Sequence, residues 1–226
     1  MSDEPAEARA TAPGETAGGR GILFVISSPS GGGKGTLIRR VLPTVPRLGY
    51  SVSWTTRTPR AGEQHGVHYF FVTPEEFAAA REAGEFLEWA CVHGHYYGTS
   101  RRVVEAELAR GRDVLLEIDV QGAAAVRALP IDQVSIFILP PSYEELRRRL
   151  IARRSENLDD LALRLRNARE EIRHYREFDY VVLNDEVARA AAQLAAIVHA
   201  ARAERRRQEP LAQRVLASFD EPEAIS

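Results

Sequence analysis

Apolar and polar positions alternate along the chain in blocks that read as strand, helix, strand, helix. Gly21-Ile22-Leu23-Phe24-Val25-Ile26-Ser27 is an apolar run of strand length, and Leu37-Ile38-Arg39-Arg40-Val41-Leu42 opens a helix. Pro43 and Pro46 punctuate the end of that helix, and Tyr50 to Trp54 predicts a second strand. The pattern then changes. Thr55 to Gly66 is polar and loop-like, Val67 to Val72 is aromatic and β-branched, and Thr73-Pro74-Glu75-Glu76 starts a helix that ends near Gly84. Residues 86–92 and 95–97 predict a hairpin pair around Gly94. This β-rich insert, about 53–98, is expected to form a small separate lobe. Alternation resumes with a helix from about Arg101 to Arg110 and a strand, Asp113 to Asp119, that is apolar in the middle and acidic at its C-terminal end. A short helix, Gln121 to Leu129, and a strand, Val134 to Leu139, follow; Pro140 and Pro141 stop the strand. Ser142-Tyr143-Glu144-Glu145 reads as a capping box for a helix running to about Arg153. A helix from Leu158 to Tyr175, a strand from Asp179 to Asn184 and a long helix from Glu186 to about Arg207 complete the pattern. Residues 1–20 read as a disordered tail and 208–226 as a C-terminal tail, an exposed helix in part. Alternating elements of this kind predict an α/β core with a parallel sheet.

Composition narrows the classes. The 226 residues are 44% hydrophobic and 27% charged, ordinary for one soluble globular domain with small insertions. A formal net charge of −2 argues against general nucleic-acid binding. No apolar run approaches the roughly 18 residues that would span a membrane. The first twenty residues lack the apolar middle of a secretory signal, and Cys91 is the single cysteine, so a reducing cytoplasm is the expected setting. Cys91 is read as core, Trp54 and Trp89 as packing, the six His as non-ligands, and Arg205-Arg206-Arg207 as a basic helix end. The oligomeric state stays open, a homodimer or a higher homo-oligomer among the alternatives.

The chemistry concentrates in Ser28-Pro29-Ser30-Gly31-Gly32-Gly33-Lys34-Gly35-Thr36, placed between a strand and a helix. Strand, glycine loop, Lys, helix is the context of a P-loop. Glycines omit Cβ atoms, so successive N–H groups can turn inward around phosphate oxygens, and the helix N-terminus adds a partial positive charge. Of the 30 Lys and Arg residues, Lys34 is the single Lys. A compact ammonium on a thin stem fits a narrow loop that a wide guanidinium fork would not. The other reading is a Gly-rich turn with a solvated Lys. The motif departs from its usual form at Ser28, where Gly is usual, and at Gly35, where a hydroxyl usually serves Mg²⁺.

Taken together, the motifs resemble the guanylate kinase family over residues 21–207. They are the P-loop, Ser53-Trp54-Thr55-Thr56-Arg57-Thr58-Pro59-Arg60-Ala61-Gly62-Glu63, Tyr69, Glu85 to Ala90, Tyr97-Gly98-Thr99, Glu117 to Gly122, and Asn184-Asp185. The resemblance implies a P-loop NTPase α/β core with a parallel sheet, a small β-rich GMP-binding lobe and a helical lid at about 142–170. It implies transfer of the γ-phosphoryl group of ATP to GMP with Mg²⁺ as cofactor. Ser30, Gly31, Gly32, Gly33, Lys34, Gly35 and Thr36 would hold ATP phosphates, and Asn184 the adenine side. Arg57 and Arg60 would hold the GMP phosphate, helped by Ser53, Tyr69 and Tyr97, with Glu63 a partner for the loop arginines. Glu88 would accept the guanine N1–H and N2–H₂, with Thr99 and Asp119 beside the base. Lys34, Arg57, Arg149, Arg153 and Arg164 would carry catalysis. No direct protein ligand to the metal is expected; Mg²⁺ is held by ATP and water, with Thr36 or Glu117 as the nearest protein oxygens. The family usually carries Gly where Arg154 stands. Two other readings stay open: a mononucleotide kinase of different base specificity, suggested by Gly33-Lys34-Gly35-Thr36, and a non-catalytic module that binds phosphorylated proteins.

The Lys34 reading has a direct consequence. Lys34→Arg keeps the charge but replaces a point charge by a fork, and should nearly abolish turnover while the protein stays folded. Steady-state kinetics alongside circular dichroism checks this; near-normal kcat would remove Lys34 from the phosphate site.

Overall fold

The computed structural model describes residues 19–92, 94–152 and 158–219. Strand β1 (Leu23–Ser27) is wholly buried, as a continuous apolar run requires when both faces of a parallel sheet are covered. It lies at the centre of a five-stranded sheet with β2 (Leu48–Tyr50), β7 (Asp113–Glu117), β8 (Gln133–Leu139) and β9 (Tyr180–Leu183), in the order β2-β7-β1-β8-β9. Every pairing is parallel. Strand order reverses about β1, which places the loop after β1 at the crevice where open α/β sheets bind ligands.

Helices cover both faces. Helix α1 (Lys34–Val41) and α7 (Val187–Arg202) bury Leu37, Ile38, Val41, Leu194 and Val198 against Phe24, Ile26, Leu115 and Ile136. Helices α3 (Arg101–Ala109) and α4 (Val120–Arg127) bury Val104, Leu108, Ala123 and Val126 against Leu23, Val25, Leu116 and Phe137. The predicted α/β core with its parallel sheet is therefore the observed one.

The insert forms a second sheet, in the order β4-β3-β6-β5, from β3 (Trp54–Thr55), β4 (Phe70–Phe71), β5 (Phe86–Val92) and β6 (His95–Ser100). Helix α2 (Pro74–Glu82) packs on it. Thr73 caps that helix through a complete capping box, accepting from Glu76 N at 3.1 Å while its own N–H donates to the Glu76 carboxylate at 2.8 Å. Phe77 is the keystone: its ring stacks on Phe86 at 4.5 Å and on Tyr96 at 5.4 Å between centroids. Helices α5 (Tyr143–Ala152) and α6 (Leu158–Glu171), in the segment expected to act as a lid, pack around Leu146, Leu150 and Ala168. A 3-10 turn (Ile172–Glu177) leads from α6 into β9.

Several elements differ from the sequence reading. The Val67–Val72 strand contracts to Phe70–Phe71, since Val67 is exposed and His65 and His68 accept loop N–H groups around a turn at Gly66. The second strand is Leu48–Tyr50, and Ser51 to Ser53 bridge the two sheets. Half of the Ser142 capping box forms: Ser142 accepts from Glu145 N at 3.1 Å, but the Glu145 carboxylate turns to arginines instead. The helix from Glu186 stops at Arg202, and a separate helix α8 (Arg205–Phe219) begins after a turn. Arg207 explains the break. Its guanidinium, 9% exposed, grips Asp132 with two 2.8 Å bonds, so Arg207 is anchored while Arg205 and Arg206 stay exposed as a basic helix end would. Cys91 is exposed, not core, and Trp89 is 44% exposed. A register shift between Phe86 and Glu88 turns these residues outward.

Phe77→Ala should cost about 3–4 kcal/mol, the usual loss for a fully buried aromatic. The loss should be local to the small sheet. Hydrogen exchange is expected to quicken in β3 to β6 and stay unchanged in β1, β7 and β8; uniform quickening would show that the lobe has no independent core.

Candidate active site

The loop after β1 is shaped by two left-handed glycines, Gly31 (φ 86°) and Gly33 (φ 92°). Both are also crowded. A Cβ at Gly33 would lie 2.3 Å from Asn184 Nδ2, and one at Gly31 would lie 3.0 Å from the Leu150 side chain. Lys34 bridges the loop, its ammonium donating to Ser28 O and Ser28 Oγ, each at 3.2 Å. The departure at Ser28 is thus absorbed: its backbone is not among the described positive-φ residues, and its hydroxyl donates to Pro29 O at 2.9 Å.

Asn184 follows β9 and is buried. Its Nδ2 donates to Gly32 O at 2.8 Å, while its Oδ1 is buried without a hydrogen-bond partner, an acceptor available to a ligand beside the loop. The lid arrives at the same place. Arg149 donates through Nε to Glu145 at 2.7 Å and through Nη2 to Asn184 O at 2.9 Å, leaving Nη1 toward Gly33. Ser30 N donates to the Glu171 carboxylate at 3.0 Å, a contact from the end of α6 that no motif announced. Arg164 lies half-buried on α6. Arg153 and Arg154 lie outside the described residues.

Opposite the loop, a cleft opens between the two sheets. One wall carries Lys34, Glu117 and Asp119; the other carries Ser53, Tyr69, Tyr97 and Glu88. Arg57 stands behind Tyr69, 5.4 Å from its ring centroid, with both carboxylate oxygens of Glu63 at 2.9 Å from Nη2. Arg60 is exposed on the loop; its N–H donates to Glu63 at 2.8 Å, so Glu63 orders the turn that carries both arginines. Thr99 is buried and donates to Glu88 Oε1 at 2.6 Å. Asp119 caps α4, accepting from Gly122 N at 2.9 Å. Gly122 has to be small: a Cβ there would lie 2.6 Å from Glu88 Oε2. The first turn of α4 can therefore approach the Glu88 carboxylate.

Burial pushes Glu88 up to about 7, with the Thr99 hydrogen bond opposing and Asp119 adding to the rise. Burial, with the Glu117 charge second, pushes Tyr69 up to about 12. Tyr50, whose hydroxyl lies 3.5 Å from Glu117, is raised further for the same two reasons. The cleft thus holds one buried carboxylate, Glu88, whose neutral form is favoured by burial, with Lys34, Glu117 and Asp119 also lining it.

A profile of the guanylate kinase family matches residues 20–201. The chain belongs to the guanylate kinase family. A guanylate kinase of Dechloromonas aromatica is 52% identical over 180 residues, 80% of this chain and 89% of its own. One of Symbiobacterium thermophilum is 50% identical over 184 residues, 81% and 87% of the two chains. The crystal structure of guanylate kinase from Anaplasma phagocytophilum superimposes with a TM-score of 0.70 at 37% identity, covering 82% of this chain and 88% of that one. The family's P-loop NTPase core is the fold observed here.

Glu88 gives the chain a stability cost that can be measured. Its folded pKa lies above the ordinary carboxylate value of 4.5, so the folded chain binds more protons than the unfolded chain between pH 4.5 and about 7. Stability therefore falls as pH rises through that window. Glu88→Gln should raise stability at pH 8 by on the order of 1–3 kcal/mol and change it little near pH 4.5. Denaturant unfolding at both pH values checks the sign; equal effects at both would mean Glu88 carries no buried charge.

Proposed function

We propose that the cleft between the two sheets brings GMP against the γ-phosphate of ATP, so that the chain works as an ATP:GMP phosphotransferase yielding ADP and GDP. The observation that carries this is one continuous cleft lined by Lys34 at one end and by Glu88 and Asp119 at the other. Lys34 and the N–H groups of residues 30–36 cradle the ATP phosphates, and Arg149 closes on them from the lid with Arg153 and Arg164. Arg57 and Arg60 take the GMP phosphate with Tyr69, Tyr97 and Ser53, Glu63 being exchanged for the substrate's oxygens. Guanine presents two donors side by side, and the ionised Glu88 accepts both. Thr99 keeps Glu88 in place, and Asp119 lies on the same side. Asn184 offers its unpartnered Oδ1 to the adenine amino group. No catalytic base is needed: a phosphate monoester with a second pKa near 6 is already a nucleophile at pH 7. Catalysis then consists of positioning and charge neutralisation.

Kinases of this family use ATP, which is generally handled as a complex with a divalent metal. Two oxygen donors suited to Mg²⁺ lie beside the loop at Gly35, the Thr36 hydroxyl and the Glu117 carboxylate, with the Arg39 guanidinium next to them. These two would hold the ion's water shell, and the bound ion would neutralise charge on the transferred group. The lone cysteine suits a reducing cytoplasm. Among the described residues no helix is long and apolar enough to cross a membrane.

A coupled assay of ADP release with GMP, AMP, CMP and UMP tests the reading. Turnover is expected with GMP alone at physiological concentrations. Glu88→Gln should lower kcat/KM for GMP by roughly 10² and leave ATP binding unchanged. Equal use of AMP would overturn the guanine assignment, and no turnover with any of the four would favour a binding module.

A further inference from the structure

Gly35 leaves space where a P-loop usually carries a hydroxyl, and the structure places a cation beside it. A Cβ built on Gly35 would lie 3.4 Å from Arg39 Nη1 and 3.6 and 3.7 Å from the two carboxylate oxygens of Glu117. Arg39 starts one turn later on α1, in the last turn of an eight-residue helix, where a basic residue is favourable. Its side chain leans back toward the first turn, as helix geometry directs, which sets Nη2 3.5 Å from Thr36 Oγ1. That end of the helix already carries the positive pole of the backbone and the Lys34 ammonium. A second cation there is costly unless an anion joins it. The protein supplies only part of that anion. Glu117 faces the same space but also accepts from the Tyr50 hydroxyl at 3.5 Å, and no ion pair of Arg39 with Glu117 is formed among the described contacts. Arg39 is exposed, so its guanidinium is open to a ligand at the loop.

We propose that Arg39 is an ATP-phosphate ligand that takes over part of the charge neutralisation normally supplied through the metal-binding hydroxyl missing at Gly35, so that this chain binds ATP with reduced dependence on Mg²⁺. The proposal rests on the kinase reading above. Arg suits the task because its guanidinium is always charged and its fork matches phosphate oxygens.

Binding rather than turnover separates the two readings. Calorimetric titration with a β,γ-methylene analogue of ATP, without GMP, is run in excess Mg²⁺ and in EDTA on the wild-type chain, Arg39→Met and Arg39→Lys. In EDTA, Arg39→Met should bind about tenfold or more weakly than wild type, and in Mg²⁺ by less than about threefold. Arg39→Lys, which keeps the charge, should recover part of the loss in EDTA. Thermal unfolding of the variants should match wild type, since no core side chain is touched. Arg39→Met binding as tightly as wild type in EDTA overturns the inference alone, as does Arg39→Lys no better than Arg39→Met. A wild-type chain that binds the analogue in neither buffer overturns the kinase reading and this inference together.

Discussion

The approach of the Asn184 amide to the backbone at Gly33 is the contact on which the rest of the site depends. It exists because no Cβ intervenes, and it holds a left-handed residue in place on the N-terminal side of α1. Asn184 can reach the loop because β9 pairs with β8 and β8 with β1, which carries the end of β9 to the same edge of the sheet. The Asn184 carbonyl then receives Arg149, and Leu150 packs on Gly31. Phosphate loop, sheet edge and lid helix are thus one construction. Enlarging either glycine would disturb all three, since interiors have no slack to absorb a methyl group at 2.3 Å.

The second sheet solves a different problem. It carries a carboxylate, Glu88, out of water, and burying a charge is expensive. The aromatic stack of Phe77, Phe86 and Tyr96 gives the lobe its own core, and that core supports the cost of Glu88 beneath it. The cost is softened locally. Thr99 donates to one oxygen, and Gly122 lets the N-terminal turn of α4 lie against the other. α4 packs on the parallel sheet, so the Glu88 carboxylate of the lobe is tuned by the core to which the lobe is attached.

Acids recur beside the hydrogen-bond donors of the site. Glu63 holds Arg57, Glu145 holds Arg149, and Glu171 holds the Ser30 amide. Each groups a donor suited to phosphate with a carboxylate that can be exchanged for one. Cations grouped without such partners would repel one another; the acids offset that repulsion.

Much of this was legible in the chain. The strand, glycine loop and helix around Lys34, the hairpin at Gly94 and the capping of α2 follow from local chemistry: missing Cβ atoms, alternation, and a Thr and Glu three residues apart. The block from Ser53 to Glu63 was readable as a loop from its Pro and Gly residues, and as a site through its resemblance to the family's motif. What the chain could not declare were relations between distant residues. Hydropathy would bury Cys91 and Trp89 and expose Glu88, yet a register shift in β5 reverses all three. Arg207 reads as a solvated end until Asp132, 75 positions earlier, is brought beneath it. Glu171 has no motif, and its place at Ser30 is set by how α6 crosses the loop 141 residues away. Periodicity and turn chemistry act over a few residues and so are written in the sequence. Side-chain partners across the sheet depend on which elements pack together, and only the tertiary structure decides that.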